Sequence, residues 1–354
     1  MGIIESTLNG ISGRDETWRK RARERLDRLI MPHWALGRLM DLAVDLAGIA
    51  RSMNPPVERK RIFTMAGDHG VAAEGVSKYP PEVTPQMVHG FVSGLAGINA
   101  LSRLNGVDVT VVDMGVASDL GDLARAGKIV DCKVAMGTGN IAVGPAMTRE
   151  QAVRAIEAGI GVVEDAADRT DVFGVGDMGI ANTSPSAAIA AALTGASPEE
   201  VTGRGTGLDD AQLRRKIAVV AKALEVNKPD PGDAVDVLAK VGGFEIGGIA
   251  GAVLGAAARR KPLVVDGFIA TAGALIAHGL EPRVADYIIA SHRSVERGHS
   301  IMQERLGREP LLDLGFRLGE GTGAAVAMNL VEAAKRILTE VATFEEAHVA
   351  TAVM

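Results

Sequence analysis

"TDVFGVGDMGIANTSP", residues 170–185, sets a short apolar run against glycines and polar side chains, then ends on a Ser–Pro pair. Residues 170–176 read as a strand, because the run is short, partly β-branched and bounded by glycine. Ser184 before Pro185 reads as a helix start, since proline lacks an N–H that the first helical turn would leave unpaired anyway. Strand, polar loop and helix in that order make one unit of an α/β sheet.

The unit recurs on both sides. "RIFTMAG" (61–67), "VDVTVVDMG" (107–115), "PLVVDGF" (262–268), "ADYIIAS" (285–291) and "LLDLGF" (311–316) are further strand candidates, separated by Ala-rich helical segments. Thr148 with Gln151, and Ser197 with Pro198 and Glu200, mark two helix starts of the capping-box kind. The alternation predicts an α/β fold with a mostly parallel sheet covered by helices on both faces. Ligands bind such sheets at the carboxyl ends of the strands. "AGDHG", "GVGDMGIANTS", "DGFIATAG", "ASHRS" and "GEGTG" all fall there. Before the first strand, Trp18, Ala22, Leu26 and Leu29, then Leu39, Met40, Ala43, Leu46 and Ala47, recur at helical spacing until "NPP" (54–56).

Hydrophobic residues make up 47% of the 354 but aromatics only 3%, so the core is built from Ala, Val, Ile, Leu and Met, with 43 glycines allowing close packing. A net charge of −6 without a basic stripe argues against nucleic acid. Cys132 stands alone, which fits a reducing compartment and leaves no intrachain disulfide. The histidines lack ligand spacing, so no metal is expected. The longest apolar run, 246–258, is too short and glycine-rich to span a membrane, and the N-terminus lacks a signal-peptide pattern. The chain is expected to be soluble and cytoplasmic.

"GVGDMG" (174–179) matches the dinucleotide fingerprint after a strand, but "IANTS" delays the helix and no acidic residue ends a following strand at the required distance. A glycine-rich nest holding one phosphate fits better. "GRGTGLDD" (203–210) with Lys216 downstream is a second such loop. In "LGEGTGAA" (318–325) Glu320 is one carboxylate between two glycines, and Thr322 can cap the helix that follows. Asp266 interrupts an apolar run, and "VSKYPPEVTPQM" (76–87) is a proline-stiffened polar loop.

Together with "SHRSVERGH" and "VGGFEIGGIAGA", these motifs resemble the nicotinate-nucleotide:dimethylbenzimidazole phosphoribosyltransferase family, over nearly the whole chain. The resemblance implies a Rossmann-like sheet, with a small helical domain of residues 1–60 completed by a C-terminal helix at 335–354, and a large domain at 61–334. It implies a homodimer, no cofactor, and two small-molecule substrates, nicotinate mononucleotide and a benzimidazole-type base. Carried over by motif, Glu320 is the general base. Gly176, Asp177, Gly179, Ile180, Asn182 and Thr183, with Gly203, Gly205, Thr206, Gly207 and Lys216, hold the nucleotide and its phosphate. Asp68, His69, Ser77, Tyr79 and Gln86 fall to the acceptor-base pocket, as do Met178, Asp266, Ser291 and Leu318. The family often has glutamate where this chain has Asp177, and glycine where it has Ala181.

The chemistry asks for little. A nicotinate bonded to ribose is already a cationic pyridinium, so it departs as a neutral ring nitrogen without a general acid. The incoming azole must lose one proton, so one base suffices, unlike the carboxylate pair of a glycosidase. Rival readings keep the fold with another acceptor base or a phenol, make the protein an NAD-dependent oxidoreductase on "GVGDMG" alone, or make it a non-catalytic nucleotide-binding regulator. The last would be marked by loss of the glutamate in "GEGTG", which is present.

Overall fold

A computed structural model describes residues 2–350. Its six strands are β1 (Lys60–Gly67), β2 (Val107–Gly115), β3 (Val130–Asp131), β4 (Val172–Met178), β5 (Leu263–Val265) and β6 (Ile288–Ala290). They form one sheet in the order β3-β2-β1-β4-β5-β6, and every neighbouring pair is parallel. The chain builds outward from β1 to β3, returns, and builds the other half from β4. β1 and β4 therefore flank the switch point, where loops leave in opposite directions and open a crevice.

Alternate strand residues feed two cores, as a sheet buried on both faces requires. Ile62, Val172, Val264 and Ile289 join Ala324, Met328 and Val331 of helix Thr322–Glu340 and the helix Arg38–Ala50. Phe63, Phe173, Val175 and Val265 join helices Arg149–Ala166 and Phe244–Ala258 on the opposite face. That second pair of helices touches backbone to backbone. A Cβ at Gly159 would fall 1.9 Å from the Gly248 carbonyl oxygen, and one at Gly251 would fall 1.9 Å from that of Ile156. Small residues thus do the packing that aromatics perform elsewhere.

The capping boxes at Thr148/Gln151 and Ser197/Glu200 are present. Several expectations need correction. Residues 311–316 are not a strand. Leu311 and Leu312 donate to Ala290 and Ser291, and Leu312 and Phe316 accept from Arg293 and Val295, so the segment follows the chain after β6 through isolated bonds and a single bridge. β3 is two residues long, below what a sequence pattern reveals. Residues 282–287 form a 3-10 turn opened by Pro282, which shortens β6. A helix at Ile3–Gly10 precedes those expected. The C-terminal helix ends at Glu340, and the chain then turns back to residues 28–30, with Ile30 N–H donating to Ala342 and Phe344 N–H to Arg28. Residues 351–354 of that expected helix lie outside the described residues. Among the described residues no helix is long and apolar enough to cross a membrane.

Replacing Gly251 by alanine forces the two helices apart. Overpacking of this kind typically costs about 1–3 kcal/mol, so Gly251→Ala is expected to lower the urea midpoint with little change in the slope of unfolding. An unchanged midpoint would contradict the backbone contact.

Candidate active site

A cavity of about 320 Å³ opens at the carboxyl ends of β4, β5 and β6. One wall is the loop after β4. Asp177, Met178, Gly179, Ile180, Asn182 and Thr183 all line it. Ala181 lines it too and stands at φ +73°, a conformation that costs an alanine about 1–2 kcal/mol relative to glycine. The helix beyond starts at Thr183, not at the expected Ser184, and its flanking residue Asn182 does not cap it. Asn182 instead donates from Nδ2 to Asp177 Oδ2 at 2.9 Å. Ser184 is fully buried, and its Oγ has no partner among the described residues.

Facing Thr183 is the loop at 203–207. Gly205 and Thr206 line the cavity, while Gly203 and Gly207 do not. Lys216, fully buried on helix Asp210–Asn227, donates from Nζ to Thr183 Oγ1 at 2.7 Å, and a Cβ at Gly205 would lie 3.1 Å from it. Lys216 therefore reaches the cavity from behind these two residues. Burial pulls its ammonium down to about 8, opposed by the carboxylate of Glu296. A backbone turn, a helix N-terminus and a partly bonded ammonium converge at this end, an arrangement suited to a phosphate. Thr206 Oγ1 also accepts from Lys78 N–H at 3.1 Å, tying this loop to the segment 76–79.

The "GEGTG" loop lies directly on β4. A Cβ at Gly176 would sit 2.1 Å from Gly321 N, so Gly176 serves loop packing and does not face the cavity. Gly319, Glu320 and Gly321 all have positive φ, at +85°, +64° and +96°. Two bonds hold Glu320 in that strained conformation. Its N–H donates to the Asp177 carbonyl at 3.1 Å, and its own carbonyl accepts from Thr64 Oγ1 at 2.9 Å. Its side chain is buried, with Oε2 accepting from Ile98 N–H at 3.0 Å. Oε1 has no hydrogen-bond partner among the described residues and is not sealed off. Burial raises the Glu320 carboxyl above its ordinary value, and the Ile98 N–H opposes this. Ile98 is in the first turn of helix Gly97–Asn105, so that N-terminus favours the ionised form.

The helix after Glu320 is capped differently from the sequence expectation. Thr322 Oγ1 donates to Gly319 O and caps nothing. Asp266 does the capping, accepting from Gly321, Gly323 and Ala324 N–H at 2.9, 2.7 and 3.1 Å. Burial pushes Asp266 up to about 7 against those three bonds.

Of the expected acceptor pocket, Ser77, Tyr79, Met178 and Leu318 line the cavity. Leu318 and Gly319 border it next to Glu320, which itself lies just beyond the lining. Gln86 sits on helix Val83–Val92 and is not among the residues that line the cavity. Asp68, His69, Asp266 and Ser291 are buried behind the wall. Asp68 accepts from Ala117 N–H, His69 Nε2 pairs with Glu245 Oε1 at 2.8 Å, and Ser291 donates to the Asp266 carbonyl. Cys132 is far from nucleophilic, its thiol pushed up to about 11 by burial and by Asp131 and Asp113.

His292, Ser294, Glu296 and Arg317 also line the cavity, and sequence reasoning did not single them out. Glu296 Oε1 accepts from Gly205 N–H at 2.9 Å, while Oε2 is buried against Gly203 without a partner among the described residues. The every-second spacing of 292, 294 and 296 was the available signal, obscured because no strand runs through it. Among the described residues no group of His, Cys, Asp or Glu side chains is arranged to hold a metal ion.

The DBI_PRT family model, described as a phosphoribosyltransferase, matches residues 11–349. Proteins named nicotinate-nucleotide–dimethylbenzimidazole phosphoribosyltransferase from Syntrophotalea carbinolica and Desulfotalea psychrophila are 59% and 60% identical to this chain. Those matches cover 99% and 98% of it and the same shares of the relatives. The crystal structure of CobT from Thermus thermophilus matches with a TM-score of 0.91 at 46% identity, covering 95% of this chain and 100% of that one.

Asp177 is pushed up from 3.8 to about 8 by burial and then by Asp266, against the bond from Asn182. The folded protein keeps this proton where the unfolded chain has lost it, so the carboxyl makes stability fall as pH rises from about 4 to 8. Asp177→Asn removes that dependence. Its melting temperature is expected to gain on the parent's progressively across that window; a margin that does not vary with pH would contradict the assignment.

Proposed function

The chain belongs to the nicotinate-nucleotide–dimethylbenzimidazole phosphoribosyltransferase family, and from that premise we propose how its cavity divides the reaction. The protein transfers the phosphoribosyl group of nicotinate mononucleotide to 5,6-dimethylbenzimidazole, giving α-ribazole 5′-phosphate and nicotinate. In our reading the phosphate lies among Thr183, Gly205 and Thr206, with Lys216 behind them. A bound phosphate dianion would hold Lys216 protonated despite its burial. The acceptor ring lies toward Leu318, Tyr79, Met178 and Ser77.

One azole nitrogen attacks the anomeric carbon while the bond from that carbon to nicotinate breaks, its electron pair neutralising the pyridinium. The other azole nitrogen gives its proton to Glu320 Oε1. The observation that carries this reading is the Glu320 carboxylate itself. Its main chain is anchored on both sides, by the Asp177 carbonyl and the Thr64 hydroxyl, one carboxylate oxygen is bonded to Ile98 N–H, and the second is free beside the cavity-lining Leu318. Such a group needs no reorganisation to act as a base.

The dinucleotide alternative finds no support, because the helix begins at Thr183, well past Gly179 of "GVGDMG". A different acceptor base or a phenol remains the alternative within the family, since the acceptor end is lined mainly by side chains that select by shape. We extend the proposal to a homodimer, which the family resemblance implies. A cytoplasmic setting is supported by the single cysteine, and a grouping of the N- and C-terminal segments by the chain turning back from Ala342 and Phe344 to residues 28–30.

With nicotinate release as the assay, Glu320→Gln is expected to lower kcat on the order of 100- to 10,000-fold, the usual worth of a positioned base. The KM for the mononucleotide should change little. The parent's kcat/KM should fall on acidification through a pKa above 4.5, a limb missing in the variant. A variant turning over at the parent rate would remove Glu320 from the mechanism.

A further inference from the structure

The protonation of two buried histidines in the segment after β6 can be deduced from their neighbours. Ser294 N–H donates to His299 Nδ1 at 2.9 Å, so that nitrogen is bare. Thr271 Oγ1 donates its own proton to Gly267 O at 2.8 Å, so across its 2.9 Å contact it accepts from His299 Nε2–H. The same logic fixes His292 in the opposite tautomer. Ser291 Oγ donates to Asp266 O at 2.7 Å, so at 2.9 Å it accepts from His292 Nδ1–H. Asp266 Oδ1, at 3.7 Å from Nδ1, is too distant to compete and is already bonded by two backbone N–H groups. The other rings against His292 are His299 and Phe316, at 6.0 and 5.4 Å.

A neutral imidazole protonated on Nδ1 carries a lone pair on Nε2. His292 is only 2% exposed, and burial brings it down to about 4, so the ring is neutral at working pH. No group among the described residues bonds its Nε2, yet that atom is not sealed off. The Cε1–Nε2 edge lies against Gly267, and both residues line the cavity. A buried acceptor left unsatisfied is costly, so the fitting partner is a donor on the substrate.

Two kinds of donor are available. The azole N–H belongs to Glu320 in the reading above, on which this inference rests. The others are the ribose hydroxyls. His292, Ser294 and Glu296 form a strip along the cavity that ends on Gly205 of the phosphate loop. The ribose joins the phosphate to the reacting carbon, so its hydroxyls lie along this strip. The geometry points to His292 Nε2 as the acceptor for a ribose hydroxyl of the nucleotide, which makes His292 a specificity residue for ribose over deoxyribose donors.

The test compares the parent, His292→Phe and His292→Gln on nicotinate mononucleotide and on its 2′-deoxy and 3′-deoxy analogues. Comparing proteins on one analogue cancels that analogue's intrinsic reactivity. His292→Phe should lower kcat/KM for the ribonucleotide on the order of tenfold, and should cost little or nothing on the analogue that lacks the bonded hydroxyl. His292→Gln, which presents an amide oxygen, should recover part of the loss on the donors that keep the bonded hydroxyl and none on the analogue that lacks it. It also carries the comparison if the Phe variant misfolds in thermal melts. An equal loss on all three donors would overturn the proposal and leave His292 a packing residue. A parent inactive with nicotinate mononucleotide and every azole would overturn the functional reading and this inference together.

Discussion

The amide nitrogen of Gly321 rests on β4 so closely that a methyl group at Gly176 would come within 2.1 Å of it. This approach brings the loop carrying Glu320 onto the sheet next to the switch point between β1 and β4. From it follow the bonds that fix the loop: Glu320 N–H to Asp177 O, Thr64 Oγ1 to Glu320 O, and Asp266 to three helix amides. Three consecutive residues with positive φ are tolerated because the departures from ordinary backbone geometry are held by bonds from different elements. The result is a carboxylate with very little freedom at the edge of a cavity that ends in a phosphate-suited turn.

The electrostatics follow from the same compaction. Asp177, Asp266 and Glu320 crowd the strand ends, and burial raises all three carboxyls. They are separated by what hydrogen-bonds them. Asp266 spends both oxygens on backbone amides, and Asp177 uses one on Asn182. Glu320 keeps Oε1 free while the helix at Ile98 favours its charge. Three neighbouring acids thus take different roles: a cap, a buried acid held by an amide, and a base.

Much of this is legible in the sequence where local signals suffice. β1, β2 and β4 are visible as apolar runs ending on glycine, and the capping boxes as spaced pairs. Asp266 stands out because it interrupts an apolar run, but its task as a helix cap depends on a loop more than fifty residues away. Thr322 has the right residue type for a cap and loses the position to that distant carboxylate. "LLDLGF" has the composition of a strand, yet it meets the chain after β6 through a single bridge at Leu312 and scattered bonds, too few to form a ladder. Lys216 was legible as a lysine downstream of a glycine-rich loop, but nothing near it in sequence indicates that it meets Thr183. His292 and Glu296 give only their every-second spacing with Ser294, too weak to separate them from surface residues, because their burial is created by the phosphate loop and by Gly323 packing over them.

The central claim is that Glu320 removes the proton of the acceptor ring. It is tested most directly by comparing the penalty of Glu320→Gln on 5,6-dimethylbenzimidazole with its penalty on the N-methylated ring, which has no proton to give. Single-turnover rates of nicotinate release at saturating nicotinate mononucleotide isolate the chemical step. The account predicts a loss on the order of 100-fold or more with the N–H ring and nearly equal rates for parent and variant with the methylated one. A loss of the same size on both acceptors would contradict it, and would make Glu320 a residue that shapes the cavity and does not move the proton.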